Sequence, residues 1–169
     1  MIASDQHLVL VGMMGVGKTT VARVLGDRLD RRVFDTDAVI EARGGRTVRE
    51  IFAADGEPAF RALESEVLRE ALESPEPVVV AAAGGVVLGA GNRVALKSSG
   101  ARVVWLCADP ATLVERVRNG GHRPLLDDDP AGTLQRMFVE REPLYREVAD
   151  AIVLVDNRSI NEIVEAVLR

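Results

Sequence analysis

Only one cysteine, Cys107, occurs in the 169 residues, which excludes an internal disulfide and fits a reducing compartment. It sits in an apolar run and reads as a plain core thiol. No apolar run is long enough to cross a membrane. The first residues, Met1 to His7, carry neither a basic segment nor a long apolar stretch, so no signal peptide is expected. A basic excess is missing too. The formal net charge of −5 argues against a nucleic-acid or anionic-membrane surface over the whole chain, while leaving room for a local basic pocket. Internal repeats and low-complexity linkers are absent. What remains is a length suited to one domain, residues 1–169, with a sizeable core. Hydrophobic content of 47% and charged content of 28% are ordinary for a globular protein, and the cytoplasm is the expected compartment.

What is present is concentrated in Gly12-Met-Met-Gly-Val-Gly-Lys-Thr19. Before it, Leu8-Val-Leu-Val11 is wholly apolar, as a strand buried on both faces should be. After it, Val21, Val24, Leu25 and Leu29 recur at helical spacing. Strand, G-x-x-x-x-G-K-[ST] and helix make a phosphate-binding P-loop in its proper context. Glycines let backbone N–H groups of Gly15, Val16, Gly17, Lys18, Thr19 and Thr20 close on phosphate oxygens without a Cβ in the way. The helix that follows aims its positive end at the same anion. Lys18 reaches the β- and γ-phosphates of ATP, and the Thr19 hydroxyl is placed to ligate Mg²⁺.

Apolar runs alternate with helical patterns along the rest of the chain, which predicts an α/β fold with a parallel sheet. The strands are expected at 8–11, 32–34, 78–82, 102–106 and 151–155. Capping boxes at Thr47 with Glu50 and at Ser159 with Glu162 mark helix starts. Asp109-Pro110 and Asp129-Pro130 mark two more. The second strand runs into Phe34-Asp-Thr-Asp37, at the edge where open parallel sheets bind ligands. Residues i and i+2 of an extended strand point the same way, so Asp35 and Asp37 are expected to face one spot. Asp35 then serves the Mg²⁺ shell through water, and Asp37 accepts the proton of an attacking hydroxyl or fixes it by a hydrogen bond. The competing reading makes Asp37 a helix N-cap. The third strand carries no aspartate of the Walker B kind, which leaves Asp35 as the metal's anchor.

Arginines supply the other candidates. Arg61 is either a surface residue paired with Glu57 or Glu64 at helical spacing or a ligand of the site. Gly84 and Gly85, at the third strand's end, let backbone approach a ligand closely. The stretch 116–127 holds Gly120-Gly121 and reads as a mobile lid, with Arg123 fixed by Pro124-Leu-Leu126 to stabilise charge on the transferring phosphoryl group. Pro143 predicts a kink or restart that turns Arg141 towards the crevice. Solvated surface arginines are the alternative for both.

Taken in order and spacing, these stretches resemble the shikimate kinase family over nearly the whole chain. The matches are the P-loop, Phe34-Asp-Thr-Asp37, Phe60-Arg61, Gly84-Gly85, Arg123-Pro-Leu-Leu126, Arg141-Glu-Pro-Leu-Tyr145 and Val155-Asp-Asn-Arg158. The resemblance implies a three-layer, nucleoside-monophosphate-kinase-like fold with a five-stranded parallel sheet, a substrate-binding segment at about 36–64 and a lid. It implies transfer of the ATP γ-phosphoryl group to the 3-hydroxyl of shikimate, a step of aromatic amino-acid biosynthesis, with Mg²⁺ as cofactor, by a monomer. Carried over by position, Asp37, Arg61, Gly84, Gly85 and Arg141 hold shikimate. Lys18, Thr19 and Asp35 serve phosphates and Mg²⁺, Arg123 is the lid residue on ATP, and Arg118 and Arg158 lie near the adenine. Where the family has a run of three glycines, this chain has Ala83 in the first place, which adds a Cβ near the substrate floor. A gluconate-kinase-like enzyme has no need of two arginines facing a carboxylate beside Asp37. A regulator that had lost catalysis would not keep Lys18, Asp35, Asp37 and Arg123 together.

Overall fold

The computed structural model describes residues 2–119 and 128–169. The strands are β1 (Leu8–Val11), β2 (Val33–Asp35), β3 (Val79–Ala81), β4 (Arg102–Cys107) and β5 (Ala151–Leu154). The helices are α1 (Lys18–Leu29), α2 (Thr36–Gly44), α3 (Val48–Asp55), α4 (Glu57–Leu72), α5 (Ala90–Ser98), α6 (Pro110–Asn119), α7 (Pro130–Val148) and α8 (Ile160–Leu168), with a short 3₁₀ turn at Val86–Leu88. All strand pairs are parallel, in the order β2-β3-β1-β4-β5. β1 is therefore central, with Leu8 level with Val79 on one side and with Arg102 on the other. Every residue of β1 is buried, as its unbroken apolar sequence demands. The chain leaves β1 for one side of the sheet and after β3 crosses to the other, which puts a topological switch point beside the P-loop.

Helices cover the sheet in two groups. α1 packs on α8, and α7 packs on both α5 and α6. Trp105, Leu10, Leu106 and Leu113 belong to the resulting main core. A second, smaller core joins Ile40 of α2, Ile51 of α3, and Phe60 and Val67 of α4. Phe52 and Phe60 meet there with ring centroids 4.8 Å apart. Burying one such side chain is worth roughly 1.5–3 kcal/mol, enough to set the angle at which α4 carries Arg61 past the sheet edge.

Three local features depart from the sequence reading. β2 ends at Asp35, so Asp37 falls in the first turn of α2 and not on an extended strand. The N-cap is Asp35, whose Oδ1 accepts from the Ala38 N–H at 3.2 Å. Asp37 is the acidic residue of the first turn, where a negative charge suits the helix dipole. α7 does not restart at Pro143 but runs unbroken from Pro130 to Val148. The carbonyl that the proline leaves without its helical donor is that of Val139, a residue 64% exposed, so water can satisfy it. Cys107 closes β4 half-buried rather than in the deep core, and burial pushes its thiol pKa up, which keeps it protonated and unreactive. The predicted caps at Thr47, Ser159 and Asp129 are all formed.

The P-loop is pinned from below by backbone. Gly12 has φ +145°, and a Cβ there would collide with the carbonyl oxygen of Leu106 on β4. Gly12→Ala is expected to destabilise the protein by about 2 kcal/mol or more through strain and displacement of β4 from the loop. Urea denaturation measures it, and a midpoint equal to wild type would show that the loop tolerates the side chain.

Candidate active site

Seen from the C-terminal edge of the sheet, a cavity of ≈ 220 Å³ is lined by Gly15, Gly17, Lys18, Thr19, Asp35, Asp37, Ala83 and Gly84. That is smaller than the roughly 300–1,000 Å³ of pockets for drug-sized ligands, so it suits a phosphate tail and a small acceptor. Gly17 is the N-cap of α1 in left-handed conformation, with no side chain of its own to cap the helix. The first N–H groups of α1 are thereby left to an anion. Lys18 Nζ donates to the carbonyls of Gly12 at 2.7 Å and Met13 at 3.0 Å, which folds the ammonium over the loop. Val16 itself is buried, so only its backbone belongs to the site. Its carbonyl accepts from Arg116 Nη1 at 3.2 Å, a tie that fixes α6, and hence the start of the 116–127 segment, against the P-loop.

Opposite Lys18, the Thr19 hydroxyl donates to Asp35 Oδ2 at 2.5 Å. The pair presents hydroxyl and carboxylate oxygens beside the phosphate-binding loop, the hard oxygen donors that Mg²⁺ takes when substrate phosphates and water complete its shell. No cluster of three or more metal-ligating side chains occurs among the described residues. Asp37 lines the same cavity from the first turn of α2. The expectation that Asp35 and Asp37 face one place is met, by a strand end and a helix turn instead of one strand.

Across the cavity from the P-loop lies the turn Ala83-Gly84-Gly85, whose first two residues line it. Thr36, fully buried, accepts from the Ala83 N–H at 2.9 Å and so ties the start of α2 to this turn. A Cβ on Gly85 would occupy the place of the Arg61 guanidinium, and one on Gly84 would stand 3.6 Å from Arg141 Nη1. The absence of a side chain on Gly85 makes room for the Arg61 guanidinium, whereas a Cβ on Gly84 would press first on the P-loop backbone at Met14 and Gly12 and meet Arg141 only in ordinary contact. Arg61 reads both ways at once. It pairs with Glu57 at 3.1 Å and with Glu64 at 3.0 Å on its own helix, and it also packs on Gly85. Arg141, 3% exposed, lies on the buried face of α7 with Nη1 beside Gly84; neither it nor Arg61 lines the cavity itself. Ala83 is built without positive φ, and its Cβ lines the cavity floor.

Other expected residues lie elsewhere. Thr20, Arg118 and Arg158 are exposed and do not line the cavity. Arg123 and the rest of 120–127 lie outside the described residues. Two buried groups had no role in the sequence reading. Glu64 has a fully buried side chain. Its i+3 spacing from Arg61 gave the pairing but not the burial, which follows from α4 lying over the turn. Tyr145 is also fully buried and donates to the Gly84 carbonyl at 2.5 Å. It stood in the Arg141-Glu-Pro-Leu-Tyr145 run, but only the contact of α7 with the turn gives it a partner.

The fold and this cavity define a P-loop kinase of small molecules, with a cationic pocket beside the phosphate site. The family model described as shikimate kinase matches residues 14–169. A shikimate kinase of Symbiobacterium thermophilum is 44% identical over 165 residues, covering 96% of this chain and 94% of the relative. One of Burkholderia lata is 44% identical over 171 residues, covering 99% and 92%. The shikimate kinase of Acinetobacter baumannii, solved in complex with shikimate, superposes with a TM-score of 0.92 at 35% identity, covering 96% of this chain and 90% of that one. The chain belongs to the shikimate kinase family. It is accordingly an ATP-dependent phosphotransferase with an alcohol acceptor.

Burial pushes the Glu64 carboxyl up to about 6, with the Arg61 guanidinium pulling the other way. A raised folded pKa means that the folded state binds more protons than the unfolded one. The favourable contribution is thus whole below about 4.5 and lost as pH rises through about 6. The stability of wild type relative to Glu64→Gln should therefore fall by about 2 kcal/mol between pH 4.5 and 7.5. Paired denaturation curves test this, and a difference independent of pH would mean that Arg61 fully offsets the burial of the charge.

Proposed function

We propose that the enzyme transfers the γ-phosphoryl group of ATP to the 3-hydroxyl of shikimate, giving 3-phosphoshikimate and ADP for aromatic amino-acid biosynthesis. The observation that carries the reading is the pair of guanidinium groups, Arg61 and Arg141, closing on the Gly84–Gly85 turn beside Asp37 and across from the P-loop. Two planar guanidinium forks match one carboxylate, and a carboxylate matches hydroxyls. Shikimate is a small acid carrying both. A protein of net charge −5 can hold such an anion because the positive charge is local.

In this reading, backbone N–H groups of Gly15 to Thr20 cradle the phosphates, and Lys18 spans the β- and γ-phosphates. Thr19 and, through water, Asp35 hold Mg²⁺, which when bound offsets phosphate charge as it builds up on the β–γ bridge. Arg61, Arg141 and the Gly84–Gly85 backbone fix the acceptor's carboxylate, so that its 3-hydroxyl meets Asp37. Asp37 accepts the hydroxyl's hydrogen bond and takes its proton as the new O–P bond forms and the bond to the ADP oxygen breaks. Arg123 closes with the 116–127 lid and steadies charge on the moving phosphoryl group. Arg118 and Arg158, at the ends of α6 and before α8, flank the adenine. Segment 36–64 is the acceptor-binding part of a single domain spanning 1–169, working as a cytoplasmic monomer. Rate comes from positioning and charge neutralisation, with no covalent enzyme intermediate.

ADP release by purified protein with Mg-ATP, with and without shikimate, tests the reading. Shikimate-dependent release is expected, with gluconate and nucleoside monophosphates inactive. Stimulation by gluconate and not by shikimate would overturn it. Asp37→Asn should lower kcat by about two orders of magnitude or more while ATP affinity is kept. An unchanged kcat would remove Asp37 from the mechanism.

A further inference from the structure

Tyr145 is the chain's only tyrosine, and it is fully buried. It lies on α7 one turn after Arg141, so the two side chains share a face. Its ring stacks on Trp105 of β4, with centroids 5.6 Å apart and planes at 22°. Its hydroxyl donates to the Gly84 carbonyl at 2.5 Å, and the positive charge of Arg141 acts on the same phenol. A hydroxyl at this depth costs free energy against phenylalanine unless it is bonded, and here the Gly84 carbonyl bonds it. Burial pushes the phenol up to about 12 against the pull of Arg141, so it remains a donor throughout the neutral range.

The turn itself is tethered at two places. On the α2 side the Ala83 N–H donates to Thr36, and on the α7 side the Gly84 carbonyl accepts from Tyr145. Arg61 lies on Gly85 and Arg141 stands over Gly84. The spacing of the two guanidinium groups is therefore set by where the turn sits between its tethers.

We propose that Tyr145 is a positioning residue of the acceptor site: its hydroxyl locks the Gly84 carbonyl to the helix that bears Arg141 and so fixes the Arg141 guanidinium over the Gly84–Gly85 turn. This rests on the reading of Arg141 as one arm of the carboxylate clamp. The P-loop has contacts of its own through Gly12, Lys18 and Arg116, and Gly84 also lies against its backbone at Met14 and Gly12, so the KM for ATP is the control that separates a displaced Arg141 from a displaced P-loop. Loss of the hydroxyl keeps the ring, its stack on Trp105 and the volume of the core. It frees only the turn and the guanidinium.

The test is steady-state kinetics of Tyr145→Phe, Arg141→Ala and the double variant, with thermal melts of each. Tyr145→Phe should raise the KM for shikimate by roughly 5–20-fold, the effect of losing hydrogen bonds around a charged group. The KM for ATP should stay at the wild-type value. The double variant should be no worse for shikimate than Arg141→Ala alone, because the tyrosine acts through the arginine. If Arg141→Ala raises the KM for shikimate but Tyr145→Phe leaves it unchanged, or raises both KM values together with a lowered Tm, Tyr145 is only a packing residue and the proposal is overturned. If Arg141→Ala leaves the KM for shikimate unchanged, the clamp reading fails, and the proposal with it.

Discussion

The whole arrangement depends on the burial of β1 between β3 and β4. With a neighbour on each side, its backbone groups are all taken by the sheet, and its side chains are covered by helices on both faces. A strand so placed can release its chain only at the centre of the C-terminal edge. The P-loop follows there because Gly12 fits against the Leu106 carbonyl with no room for a Cβ. From that point the position of each other part is dictated. β2 delivers Asp35 and α2 delivers Asp37 on one flank, while the Ala83–Gly85 turn after β3 lies between that flank and the loop. Phosphate site and acceptor site are adjacent because β3, not β2, is the neighbour of β1.

Charge is managed by pairing it before substrate arrives. Arg61 is held by Glu57 and Glu64, and Arg141 is buried beside the Gly84 turn. A buried carboxylate such as Glu64 is costly alone, and its raised pKa records that cost. The return is a guanidinium that does not have to be ordered when an anion binds, and preorganisation of this kind is what phosphoryl transfer asks of the protein. The small second core around Phe60 and Ile51 serves the same end, since it holds the Arg61 half of α4 while Leu68 and Ala71 anchor the other half in the main core.

The glycines of the acceptor turn act by what they omit. Gly85 leaves the place of a Cβ to the Arg61 guanidinium and Gly84 lets the turn sit against the P-loop backbone, whereas Ala83, one residue earlier, lines the cavity as an alanine. The Ala83 N–H is bonded to Thr36, so the turn keeps its tie to α2 with alanine in this place.

By itself the sequence determined the sheet, its strands to within a residue or two, four helix starts and the phosphate site, because those are written in local periodicity, caps and a contiguous motif. It also put Asp35, Asp37, Arg61, Gly84 and Arg141 in one family pattern. Only the tertiary structure decided how they meet. Whether Asp35 or Asp37 caps α2 turned on where β2 stops. Whether α7 breaks at Pro143 turned on the exposure of Val139. The burial of Glu64 and the bond from Tyr145 to Gly84 join residues of different elements or covered faces, 61 positions apart in the second case. Local patterns carry no information about such partners, because packing of α4 and α7 against the turn creates them.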